Sequence, residues 1–380
     1  MTKGGQGRTA RRLAATAVLS IAVLIAGCAR FDDSASSPFT PEPTFGSGGE
    51  VSPRQPPPPT SPIPETSVPN DPCFDNDPNV IATCLDATGG MVMLPGGESA
   101  LVTERRTGRI MRVAPREEPT EVARIPVDSS AGGGLLDIAL SPTFEEDNLI
   151  YAYITTPSDN RVVRIAPGDR PKNLLTGIPR GAGGNTGALT FSKPGELMVL
   201  SGDAGNPSAA ADPASLAGKL LRVTALSPTP TPPRPLVALS GVGLAGDVCR
   251  DPSGAVWVTD RTAVEDRLQR VAADGTVGAP AWTWPDKPGV AGCSAVLGAV
   301  AVALTDGEAM AVLATEPDTG AVTTAPALLA QNLYGRLGGT AISADGQIWA
   351  ATVNKSGGTP VPTDDRVVKL PLPSGGGGID

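Results

Sequence analysis

One pattern recurs six times along the chain and leaves few folds open. Each copy has a small residue and a short apolar strand, a turn carrying Gly with Pro or Asp, and a second apolar strand. A further turn and a strand often rich in Arg and Val follow. The copies span 91–113, 134–165, 187–223, 246–271, a more diverged 292–322, and 339–370. Their starts fall roughly 45 to 60 residues apart, the range for four-stranded blades. A single blade is too small to cover both of its faces and must stack on its neighbours around a channel. The expected fold is therefore all-β, a six-bladed β-propeller occupying 73–373.

The third copy is the clearest. An apolar strand over 188–191 meets a turn at Pro194-Gly195, and a second strand runs over 196–200. The chain then departs through Gly202-Asp203-Ala204-Gly205-Asn206 and returns through Ser215-Leu216-Ala217-Gly218-Lys219 onto a strand over 219–223.

Composition narrows the chemistry. Aromatics are only 3% of the chain against 40% hydrophobic residues, so the core must be mainly aliphatic. A net charge of −9 gives no electrostatic footprint for a polyanion, and nucleic acid is not an expected partner. There is no histidine, which removes the commonest general base near neutral pH and the commonest transition-metal ligand.

The first 28 residues read as an export signal. Lys3, Arg8, Arg11 and Arg12 precede an apolar run over 13–25 that ends in Leu24-Ile25-Ala26-Gly27-Cys28. That ending resembles a bacterial lipobox, which would make Cys28 the acylated N-terminus. At ~0.8 kcal/mol per buried CH₂, several acyl chains would hold the protein on a membrane. The expected location is the extracytoplasmic face of the cell membrane. Residues 29–72 are rich in Pro, Ser, Thr and Gly, including Pro56-Pro57-Pro58-Pro59, and read as a disordered, partly stiff tether. Residues 374–380 form a Gly-rich tail.

Setting Cys28 aside leaves Cys73, Cys84, Cys249 and Cys293, an even number in an exported chain, so disulfides are expected. Of three connectivities the favoured one is Cys73–Cys84, closing a short loop where tether meets domain, with Cys249–Cys293 joining similar positions in consecutive repeats. The absence of CxxC spacing and of His argues against a metal or redox dithiol.

The excursion and re-entry of the third copy resemble the soluble quinoprotein glucose dehydrogenases, the glucose/sorbosone dehydrogenase family. Further motifs carrying the resemblance are Val102-Thr103-Glu104-Arg105, Gly133-Gly134-Leu135-Leu136, Asn160-Arg161-Val162-Val163-Arg164 and Asp364-Asp365-Arg366-Val367-Val368. The Cys28-Ala29-Arg30-Phe31 start and the segments Trp282-Thr283-Trp284-Pro285 and Ala351-Thr352-Val353-Asn354-Lys355 resemble a mycobacterial lipoprotein branch of it. The resemblance implies pyrroloquinoline quinone (PQQ) with Ca²⁺ over the channel mouth, the quinone oxidising a sugar hydroxyl whose proton a histidine base accepts. Here Gly184 stands at the base position. Gly132 replaces a family Gln or Glu, and Gly243-Leu244-Ala245 replaces an Arg-Asn-Pro. Three expected groups are absent together, so the metal and catalytic residues are left unassigned.

Loops entering the innermost strands of a propeller ring one end of its channel. The ligand candidates there are Asn185, Thr186, Asp203, Asn206, Asp247, Arg261 and Arg336, with Asp137, Glu104 and Asp260 expected toward the channel. Asp203 and Asn206 serve equally as turn caps, and Asp137 as an acceptor for backbone donors. The leading expectation is a diverged, non-catalytic lipoprotein binding a sugar-like ligand or an envelope partner. One alternative is a PQQ-dependent oxidoreductase with Asp203 or Asp247 as base; another is a protein-interaction platform in the envelope.

Overall fold

The computed structural model describes residues 72–231 and 233–370, which form six four-stranded antiparallel sheets. The expectations for residues 1–28, nearly all of the tether and the Gly-rich tail lie outside the described residues. The innermost strands of blades 1 to 6 are Thr88–Met93, Leu135–Leu140, Gly187–Lys193, Leu244–Arg250, Val290–Val296 and Leu337–Ile342. They touch in cyclic order, so the ring is closed around one channel.

Burial explains why each repeat carries one uninterrupted apolar run. The second strands Ala100–Glu104, Ile150–Thr155, Glu196–Ser201 and Ile348–Thr352 are buried at every residue because both faces meet a neighbouring blade. The fourth strand of blade 1, Thr120–Arg124, lies at the periphery and is mostly exposed. Six aliphatic clusters fill the six gaps between blades. Met198, Leu200 and Leu220 of blade 3, for instance, pack on Val248, Val256 and Val258 of blade 4. This division of the core is how so few aromatics suffice.

Five blades are built from consecutive strands. The sixth draws its outer strand, Val80–Ala82, from the start of the domain, pairing it with Val367–Leu370. The sequence pattern did not anticipate this strand. Leu85 and Asp365 exchange both backbone hydrogen bonds at 3.0 Å, and Tyr334 donates to Asp77 at 2.8 Å beside them. The Cys73–Cys84 disulfide pins the same closure, and Cys249–Cys293 joins the innermost strands of blades 4 and 5. Both expected pairings are present.

Around the axis the innermost strands meet backbone to backbone. A Cβ on Gly292 would fall 2.2 Å from Gly338 O, and one on Gly339 would fall 2.4 Å from Gly89 O. Side chains there would push the blades apart, so the small residue opening each repeat sets the width of the channel.

Candidate functional site at the channel mouth

Two cavities meet in the channel. The one at the mouth has a volume of about 150 Å³ and the opposite one about 410 Å³; Asp137 and Asp247 line both and therefore stand between them. Asp137 Oδ2 accepts from Leu189 N at 2.6 Å, tying blade 2 to blade 3. Asp247 Oδ2 accepts from Cys293 N at 2.8 Å, tying blade 4 to blade 5. Burial raises the Asp247 carboxyl to about 6. Burial and then the Asp247 charge raise Asp137 well above the usual carboxylate range. Both carboxyls thus hold a proton more tightly than an exposed aspartate does.

Above the pair stand two arginines from opposite blades, Arg105 of blade 1 and Arg261 of blade 4. They occupy the same place in two copies of one motif, Val102-Thr103-Glu104-Arg105 and Val258-Thr259-Asp260-Arg261. The acid preceding each arginine is neutralised from the third strand of its own blade. Glu104 is fully buried against Arg109 at 2.6 Å, and Asp260 sits 2.8 Å from Arg267. The arginines that end the motif are left without a carboxylate. Arg105 donates to Gly133 O at 2.9 Å and to Ser356 Oγ at 3.2 Å, and Arg261 Nε reaches Leu244 O at 3.4 Å. Burial lowers the pKa of both guanidinium groups from the ordinary value, as expected for desolvated charges that stay protonated.

The expected site residues divide. Thr186, Asp247 and Arg261 line the mouth together with Asp137. The buried Thr186 Oγ1 has no hydrogen-bond partner among the described residues. Asn185 does not face a ligand. It is fully buried, with its amide donating to Ala131 O and Gly181 O and its oxygen accepting from Gly181 N and Asn160. Asn206 caps the short helix Pro207–Ala211, and Arg336 is paired with Asp306. Asp203 Oδ1 accepts from Gly205 N at 2.8 Å, and the residue lines a neighbouring cleft instead of the mouth. Glu104 and Asp260, expected toward the channel, turn to their arginines. Arg105, named in the sequence only within the motif Val102-Thr103-Glu104-Arg105, is not among the expected ligand residues, although aligning the first and fourth repeats matches it with Arg261.

Gly184 has φ +65°, and a Cβ there would lie 2.6 Å from Gly205 N and 2.7 Å from Asp203 Oδ1. The turn that Asp203 holds thus fills the space a side chain at the base position would need. Among the described residues no three His, Cys, Asp or Glu are grouped to hold a metal ion. The arginines suit an acidic ligand such as PQQ, but neither a base at 184 nor a carboxylate cluster for Ca²⁺ accompanies them. The residues present therefore do not fit the family's catalytic assembly at its base, position 184.

The PQQ-bound aldose sugar dehydrogenase of Streptomyces coelicolor is 28% identical over 77% of this chain and 96% of its own, with a TM-score of 0.68. An oxidoreductase (glucose dehydrogenase) from Thermus thermophilus is 26% identical over 77% and 98%, with a TM-score of 0.67. The soluble aldose sugar dehydrogenase of Escherichia coli, at 18% identity and a TM-score of 0.63, shares the fold. No curated protein matches the chain. Residues 85–243, which span the first three blades, match the Glucose / Sorbosone dehydrogenase family model, and the six-bladed ring is similar to those of aldose sugar dehydrogenases.

Proposed function

We propose that this protein is a lipid-anchored, extracytoplasmic member of a mycobacterial-type lipoprotein branch of that family, which binds a sugar-like ligand at the channel mouth without oxidising it. Cys28 would carry the anchor and residues 29–72 the tether. The observation that carries the non-catalytic reading is the turn at Gly184, where Asp203 and Gly205 occupy the volume of a base. In support of ligand binding, Arg105 and Arg261 line the mouth with Asp137 and Asp247 without an ion-pair partner of their own among the described residues, and the unpartnered Thr186 hydroxyl lines it with them. Donors and acceptors facing one small concavity suit vicinal hydroxyls.

Thermal unfolding of the full chain tests this with PQQ plus Ca²⁺, with Ca²⁺ alone, and with neutral and acidic hexoses. A ligand that binds only the native state raises the midpoint, by ~2.7 kcal/mol of stability at a hundredfold excess over Kd. The expected result is a shift with sugars and no turnover of glucose with PQQ, Ca²⁺ and an artificial electron acceptor. Robust PQQ-dependent turnover would overturn the reading.

One observation favours a second reading. Asp247 lines the mouth with its carboxyl raised to about 6, a suitable pKa for a base accepting a hydroxyl proton. Turnover that survives in Asp247→Asn would exclude that role.

A further inference from the structure

Beside the mouth, the rim holds a second cleft of about 390 Å³ between the Pro207–Ala211 helix of blade 3 and the entry to blade 4. Its walls are apolar: Pro207, Ala211, Val242, Leu244 and Ala263. Leu244 is 41% exposed and presents its side chain in the wall of the cleft. Arg261 belongs to both the cleft and the mouth. Among the described residues it forms no ion pair, because Asp260, its neighbour in sequence, is already held by Arg267. Lys287 adds a second cation at the edge, with Nζ donating to Ala263 O at 3.1 Å. The one acid lining the cleft, Asp203, has its Oδ1 engaged by Gly205 N. Two cations and an apolar trough thus share the cleft with one lining carboxylate, while Asp266, Asp306 and Asp260 act on Arg261 from outside it without pairing with it.

We propose that this cleft binds a carboxylate carrying an unbranched apolar tail, with the carboxylate on Arg261 and the tail along Leu244, Pro207 and Ala211. The planar guanidinium fork matches a planar carboxylate, whereas a compact ammonium acts as a point charge. Arg261 sits where the trough opens into the mouth, so the anion lies at that junction and the tail runs outward along the rim. The site adjoins the sugar site and shares Arg261 with it, but its apolar trough lies outside the mouth.

Calorimetric titration of the full chain with octanoate, decanoate and decanol tests the assignment. Decanoate is expected to bind about tenfold tighter than octanoate, from two further methylenes in apolar contact. Decanol, without the anion, is expected to bind at least tenfold more weakly than decanoate. Arg261→Gln should weaken decanoate tenfold or more, and Ala211→Trp, which fills the trough, should abolish the chain-length dependence. Arg124→Gln removes an equal charge from the outer strand of blade 1, across the ring from blade 4, and should bind as the unaltered chain does. No decanoate binding at millimolar concentration, equal binding by Arg261→Gln, or equal affinity for octanoate and decanoate would each overturn the proposal. Hexose titration of the same sample is scored separately, so either site can fail alone.

Discussion

At Gly184 the backbone itself decides the chemistry. A histidine there would have to adopt φ +65° and displace the Asp203 turn, whose carboxylate holds Gly205 N at 2.8 Å. Gly184→His is therefore expected to cost about 1–3 kcal/mol, read from the urea midpoint, and to give no PQQ-dependent turnover. A gain of turnover would show that only the side chain is missing. Asp365 makes a different residue-scale argument. It is fully buried, with Oδ1 accepting from Thr352 Oγ1 and Lys355 N while Oδ2 has no partner among the described residues. Burial, with the adjacent Asp364 charge adding to it, raises its carboxyl from the ordinary 3.8 to about 6. The folded chain thus holds this proton more tightly than the unfolded chain. The resulting stability is complete below pH 3.8 and is lost as pH rises through about 6. Asp365→Asn keeps the oxygen that accepts and removes the charge. It is expected to be more stable than the unaltered chain at pH 8, with the difference vanishing toward pH 4, as measured by denaturant midpoints across that range.

Among the elements, the strands buried on both faces were legible because their apolar runs end at turn residues. Glu196–Ser201 begins directly after Pro194-Gly195, as the sequence indicates. The fourth strands were not legible: Trp282–Trp284 and Ala327–Leu329 are three residues long, and a three-residue run has no usable period. The site was legible in part for a related reason. Thr186, Asp247 and Arg261 lie where the rim rule puts ligand residues, whereas Asn185 shares their position in the chain but is consumed by four hydrogen bonds to loop partners. Polarity at a rim marks both uses, and only geometry separates them. The Cys249–Cys293 bridge spans 44 residues and fastens adjacent innermost strands next to the Asp247–Cys293 hydrogen bond. In the loop-entropy model, replacing both cysteines by alanine should cost about 4 kcal/mol. The 11-residue Cys73–Cys84 bridge should cost about 3 kcal/mol when removed in the same way. Denaturant midpoints of the two double variants check the order, and a larger loss for the shorter loop would show that the closure strand depends on its bridge.

For the whole molecule, six similar units carry a burden that no single unit shows: the ring must close. Repetition in the sequence revealed the number of blades, but the closing strand Val80–Ala82 lies ahead of the first repeat and pairs with the last one. Nothing local marks three residues whose partner is at the far end of the chain. Closure also buries Ile81 and Leu85 in the cluster between blades 6 and 1, where they meet Trp349, Val367 and Met111. A chain beginning at residue 86 would lose these contacts, the paired Leu85–Asp365 backbone bonds and the Cys73–Cys84 bridge together. The bridge alone accounts for about 3 kcal/mol. Fully burying two large aliphatic side chains contributes ~1.5–3 kcal/mol each. The truncated chain is therefore expected to be several kcal/mol less stable than the Cys73→Ala/Cys84→Ala variant, with a lower urea midpoint. Its unfolding should also broaden, because blade 6 would expose the edge of Val367–Leu370 and could fray ahead of the other five blades. Equal midpoints for the truncated chain and the double-cysteine variant would mean that the disulfide, and not the pairing of first strand with last, holds the ring shut.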